Sequence, residues 1–252
     1  MSDRRRITAP GNTYFPRVGA ENKTSTRPRD SNNTPASFYL TSNIVLNANG
    51  SSYLEVDKFI IQAQVFGPRP IKGSYMDRGC VSVECKFLSL IRQNGSDSKS
   101  MSGLEHRIAS FVETCLVLSI LLDKYPKSTI DVFINVLAAD DDGIDESKIQ
   151  RLTAWIVNCT SVAIVDSGIE VKDIVTCGQT LVGDEGTLKV DLQGRGLQAL
   201  VAIMPMRNDE IVGLWMDGSS KGTTDYSLAM ASSIEMAKTV RSNINSYLLQ
   251  DQ

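Results

Sequence analysis

The chain has 252 residues, 42% of them hydrophobic, with 26 Lys+Arg against 29 Asp+Glu and a formal net charge of −3. That length fits one large domain or two small ones sharing a core, and the aliphatic content excludes wholesale disorder. The longest apolar run, Cys115–Leu122, falls far short of the roughly 20 residues of a membrane span, and the N-terminus lacks the apolar stretch of a secretory signal, so a soluble chain without membrane association is expected.

Residues 1–36 contain seven basic residues (Arg4, Arg5, Arg6, Arg17, Lys23, Arg27, Arg29) and three acidic ones (Asp3, Glu21, Asp30), a charge of +4 that leaves −7 for the rest. Rich in Arg, Asn, Ser, Thr and Pro without periodicity, they read as an extended or disordered basic arm. Such an arm suits an acidic partner or an RNA backbone, and equally a merely solvated tail. FYLTSNIVLN and SYLEV, separated by Ala48-Asn49-Gly50-Ser51, predict two strands joined by an Asn-Gly hairpin. FIIQAQVF is a third strand, stopped by Gly67-Pro68. Residues 67–79 (GPRPIKGSYMDRG) are too rich in Pro and Gly to be regular. Alternation in VSVECKF marks a half-buried strand, and residues 93–103 read as a flexible loop.

Leu104–Asp123 carries a wide apolar stripe, predicting a central, mostly buried helix that ends at Tyr125-Pro126. IDVFINVLA (130–138) is apolar on both faces and so a central strand. After the turn ADDDGIDES, a helix capped by Asp145 or Ser147 presents Ile149, Leu152, Ile156, Cys159 and Ala163 and stops at Gly168. VKDIVTC, GTLKVDL, ALVAIMPM and EIVGLWMDG predict four strands, and Asp225–Leu249 a C-terminal helix over the preceding sheet. This order is α+β, with two β-sheets and helices packed between and over them. The five cysteines form no C-x-x-C pair, which reads as reduced, mostly buried thiols.

Asn47-Ala48-Asn49-Gly50-Ser51 followed by Val65-Phe66-Gly67-Pro68-Arg69 resembles the NGS…YGPR signature of the RNase PH family. Tyr125–Asp131 (YPKSTID) is similar to that family's YP-basic-S-x-I segment, and Ala163–Ile169 (AIVDSGI) to its A-L-x-D-A-G-I helix end. The order and spacing agree over most of residues 38–217. The resemblance implies an RNase PH-like fold, with a first subdomain over 37–178 and a second over 179–252 that includes the C-terminal helix.

Active relatives attack RNA with inorganic phosphate, using arginines and a Gly-Thr/Ser loop to hold the phosphate and acidic residues for a metal or for proton transfer. The phosphate loop would fall at Ala139–Lys148, where ADDDGIDESK presents carboxylates that repel phosphate. An arginine expected shortly after Glu105 is matched only by Arg107. Asp191 matches the first position of the acidic cluster, but LQGRGLQALVAIM after it holds no carboxylate. No catalytic residue, metal or cofactor is therefore expected; the run Asp140–Asp142 reads as a solvated turn that starts a helix rather than as a metal site, and His106 as a surface or partly packed helix residue.

What the resemblance then implies is a non-catalytic subunit of the six-membered RNA exosome ring, in nucleus, nucleolus and cytoplasm. Its partners would be other RNase PH-like ring subunits, S1/KH-type cap subunits, a hydrolytic nuclease acting through the complex, and RNA in the central channel. Competing readings are an active phosphate-dependent 3′-to-5′ exoribonuclease and a free-standing RNA-binding module. The RNA contacts would come from Arg69, Lys72 and Arg78, unless Arg69 and Lys72 instead bind a neighbouring subunit or cap protein. Trp155 and Trp215 are read as packing residues rather than stacking platforms.

Overall fold

The computed structural model describes residues 35–73, 76–88, 98–139, 146–183, 187–192, 194, 196–218 and 223–250. The first sheet takes strands β1 (Phe38–Ser42), β2 (Gly50–Val56), β3 (Phe59–Pro70), β4 (Cys80–Phe87) and β5 (Ser128–Ala138), in the order β1-β2-β3-β5-β4. Neighbours are antiparallel except β4 and β5. A parallel pair needs a crossover, and helix α1 (Ser98–Ser119) supplies it. The second sheet is wholly antiparallel: β6 (Thr176–Val182), β7 (Leu188–Val190), β8 (Leu197–Met204) and β9 (Glu210–Asp217), in the order β7-β6-β8-β9.

Helix α2 (Glu146–Asp166) lies between the sheets, touching β2 and β3 on one side and β6 and β8 on the other. Helix α3 (Thr223–Gln250) packs on β6 and β8. These placements explain the burial patterns. In β3 buried and half-buried residues alternate up to Val65, because helices cover only the inner face of the first sheet. Every residue of β6 and β8 is buried, because α2 covers one face of the second sheet and α3 the other. Gly178 makes the α3 contact close: a Cβ there would stand 2.0 Å from the Ser233 carbonyl oxygen. Fully buried isoleucines such as Ile61, Ile134 and Ile156 each contribute about 2 kcal/mol by leaving water.

The predicted α+β order of elements is the observed one, and several boundaries move. Helix α1 begins at Ser98, so 98–103 are helical rather than loop; Met101 anchors this turn in the core at 2% exposure. The central buried helix is α2, whose residues Ile149–Ile164 are all buried, whereas α1 leaves Val117 and Leu118 exposed. Because α2 begins at Glu146, Ser147 lies inside it, and Asp145 is outside the described residues. The strand expected at VKDIVTC starts only at Thr176; the preceding backbone is held instead by Asp173, whose carboxylate accepts from the Ile174 and Met206 N–H groups (2.7 Å each). Gly168 does end α2 in the left-handed conformation (φ 72°).

The hairpin is also different. Strand β1 ends at Ser42 and β2 begins at Gly50, so Ile44–Leu46 belong to a loop. Side chains outcompete strand pairing there, since Ser51 Oγ accepts from the N–H groups of both Ile44 and Val45 (2.9 Å each).

Candidate nucleic-acid interface

The segment 67–79 is less irregular than its composition suggests. Gly67, at φ 128°, carries the chain through a register shift against β5, and pairing resumes with Arg69↔Thr129 and Pro70↔Ser128. Pro68 sits within the shift, where it has no ladder N–H to supply. Arg69 thus stands on the end of a strand, and only the stretch after Pro70 is loop. That stretch is laced to the chain entering β5: Ile71 N–H donates to the Lys127 carbonyl (3.0 Å), Lys127 N–H to the Met76 carbonyl (3.1 Å), and Gly79 N–H to the Leu122 carbonyl (2.9 Å).

All three cations named from the sequence are exposed. The Arg69 guanidinium lies over the Phe66 ring (4.9 Å to its centroid) and 3.8 Å from Asp131 Oδ2, with 54% of its side chain exposed. Arg78 stands 3.8 Å from Asp123 Oδ1, both side chains largely in solvent. Ion pairs this long and wet contribute about 0–1 kcal/mol, so either guanidinium is free to exchange its carboxylate for a phosphate. Lys72 makes no ion pair among the described residues. Lys127 adds a further exposed cation beside them; its positive φ (55°) follows from the turn into β5. Lys124 pairs with Glu170, and Lys172 Nζ donates to the Leu118 carbonyl (2.9 Å), so these two are already engaged.

The residues weighed for phosphorolysis have a different fate. Residues 140–145 of the acidic turn lie outside the described residues. Arg107 stacks on the Trp215 ring (4.2 Å to its centroid), beside an open groove of about 500 Å³ that His106, Ser110 and Thr114 also line. Asp191 is fully buried and saturated. Its Oδ1 accepts from Arg151 Nε (2.8 Å) and Trp155 Nε1 (2.9 Å), and its Oδ2 from the Ala36 N–H (2.9 Å) and Arg151 Nη2 (3.3 Å). These donors engage both oxygens of the carboxylate. Arg151 also pairs with Asp57 in the β2–β3 turn. Burial pushes the Arg151 pKa down, but the bonds and charge of Asp191, then of Asp57, outweigh it and hold the guanidinium above its ordinary value. Nothing local in the sequence joins residues 57, 151 and 191.

Among the described residues, no group of three or more His, Cys, Asp or Glu side chains could hold a metal, and no helix is long and apolar enough to cross a membrane. Cys85, Cys115, Cys159 and Cys177 are buried free thiols and Cys80 is partly buried; burial pushes the first three up to about 12. Trp155 is fully buried, and Trp215 packs against Phe111.

Residues 37–170 match the family model described as 3′ exoribonuclease family, domain 1. The chain belongs to the RNase PH family. The exosome complex component mtr3 of Schizosaccharomyces pombe is 31% identical over 261 residues, covering 100% of this chain and 98% of that relative. The exosome complex component Rrp41 of Cenarchaeum symbiosum is 31% identical over 208 residues, 80% of this chain and 81% of its own length. Among solved structures, the fold is shared with rice Rrp46 (TM-score 0.72, 19% identity, 87% of this chain and 97% of that one). It is shared also with a chain of the Archaeoglobus fulgidus exosome with RNA bound to the active site (TM-score 0.65, 15% identity, 84% and 90%). The family's characteristic segments therefore sit on β2–β3, on the entry to β5 and at the end of α2.

Proposed function

We propose that this chain is a non-catalytic structural subunit of an RNA exosome ring, which helps wall the channel through which RNA passes to an associated nuclease. The observation that carries this reading is Asp191. The one carboxylate that matches the family's acidic cluster is buried and saturated by Arg151, Trp155 and the Ala36 backbone. The acidic turn at 139–148 and the carboxylate-free stretch after Asp191 support the same conclusion, as does the full-length match to an exosome component. Partners in this reading are the other RNase PH-like ring subunits, S1/KH-type cap subunits and, through the complex, a hydrolytic nuclease. Nuclear, nucleolar and cytoplasmic residence goes with it.

Arg69, Lys72 and Arg78 are proposed to meet the RNA backbone in the channel. Their exposure and weak ion pairing support this role, since non-specific passage calls for cations that neutralise phosphates in turn. The ring reconstituted with this chain, given RNA, Mg²⁺ and inorganic phosphate, is expected to release no nucleoside diphosphate that depends on this subunit. Release that is lost on Asp191→Asn, in a variant whose fold is intact, would return the chain to the phosphorolytic enzymes.

A further inference from the structure

A narrow cavity of about 10 Å³ lies where the end of α1, the middle of α2 and the segment 171–175 leading into β6 meet. Leucine, isoleucine and valine side chains form most of its wall, but Ser119, Ser161 and Asp173 interrupt the apolar lining. All three are buried, at 2%, 4% and 7% exposure. The wall is tied in place from several sides. Lys172 N–H donates to the Ser119 carbonyl (2.7 Å), while the Asp173 carboxylate accepts from Met206 N–H (2.7 Å) and from Arg241 Nη2 on α3 (2.8 Å). Collapse of the gap would cost these bonds.

The polar groups on this wall are not fully bonded. Thr153 and Thr160, on the same helix as Ser161, donate back to the Ile149 and Ile156 carbonyls (2.8 Å each). Ser161 Oγ, by contrast, has no hydrogen-bond partner in the chain. Ser119 Oγ donates to the Leu116 carbonyl (3.2 Å) and keeps its acceptor positions. Asp173 Oδ1 accepts from both Ile174 N–H (2.7 Å) and Arg241 Nη2, whereas Oδ2 accepts only from Met206 N–H among the described residues. A donor without an acceptor and acceptors without donors thus line one cavity, and a buried hydroxyl left unbonded is costly. A space of roughly 10–15 Å³ is the least that holds a water molecule, and it is far too small for any organic ligand. Apolar cavities of this kind stay dry, but three polar partners are the number an internal water commonly uses. A cation suits the site poorly, because Arg241 already neutralises Asp173.

We infer that the cavity is an internal hydration site: one water molecule accepts from Ser161 Oγ and donates to Asp173 Oδ2 and Ser119 Oγ, bridging α2 to the segment that enters the second sheet. The test needs only the full chain. A crystal structure that shows ordered solvent is expected to place one peak within about 2.5–3.0 Å of Ser161 Oγ and Asp173 Oδ2. In solution, amides around the cavity should show a nuclear Overhauser cross-peak to a long-lived water. Ser161→Ala is expected to keep the circular dichroism spectrum of the unaltered chain and to lose both the peak and the cross-peak. An unaltered chain with neither signal overturns the site, and so do signals that persist undiminished in Ser161→Ala. An anomalous peak in the cavity after rubidium soaking would make it a cation site and overturn the water.

Discussion

Arg151 and Arg69 carry the same guanidinium in opposite settings. Arg151 has 8% of its side chain exposed and shares two carboxylates, Asp191 wholly buried and Asp57 partly so. Arg69 has 54% exposed and faces one carboxylate at 3.8 Å, as Arg78 does at the far end of the same segment. The contrast separates two uses of charge. Enclosed and fully bonded, an arginine is committed to the fold, because any loss of a partner strands the other ion away from water. In solvent it commits little to the fold and stays available to a passing anion.

The largest effect expected is at the enclosed site. Arg151→Ala should destabilise the chain by about 3–5 kcal/mol, read as a lowered urea midpoint, because Asp191 then loses its counter-ion in the interior. A loss below about 1 kcal/mol would erase the distinction between the two arginines. Next comes the exposed site. Replacing Arg69, Lys72 and Arg78 together by Ala should leave the urea midpoint of the chain unmoved. In the assembled ring it should flatten the plot of log affinity for single-stranded RNA against log salt by about 0.7 per lost phosphate contact. An unchanged slope removes these residues from the channel and leaves them to protein contacts. The smallest effect belongs to Asp123→Asn, which removes the carboxylate facing Arg78. Stability should shift by no more than about 0.5 kcal/mol, and a larger change would mean that this wet pair behaves like the enclosed one.

Much of the architecture was legible because each element's pattern agreed with its surroundings. Alternation over Val81–Phe87 is what a strand with a helix on one face requires, and the apolar surplus of α2 reflects sheets on both its sides. Legibility failed where side chains competed with the backbone or where tertiary packing overrode weak propensity. The first turns of α1, rich in Ser and Gly, are helical because Met101 and Leu104 reach the core. Ile44–Leu46 form a loop because Ser51 takes their N–H groups. At the candidate interface the charges could be found by eye between Pro and Gly, but the strand beneath Arg69 and its stacking on Phe66 depend on a bulge that composition does not announce. The partners of Asp191 lie 36, 40 and 155 residues away in sequence, beyond the reach of any local pattern.

That separation has a mechanical result. Asp57 belongs to the turn between two strands of the first sheet, Asp191 follows a strand of the second, and Arg151 on the intervening helix clasps both. Pulling the second sheet away would part Arg151 from the buried Asp191, and pulling the first away would part it from Asp57, so neither layer opens alone without losing an ion pair. The two sheets are thereby bound into one cooperative transition, in which amides on β2 and on β6 should lose their protection from hydrogen exchange together.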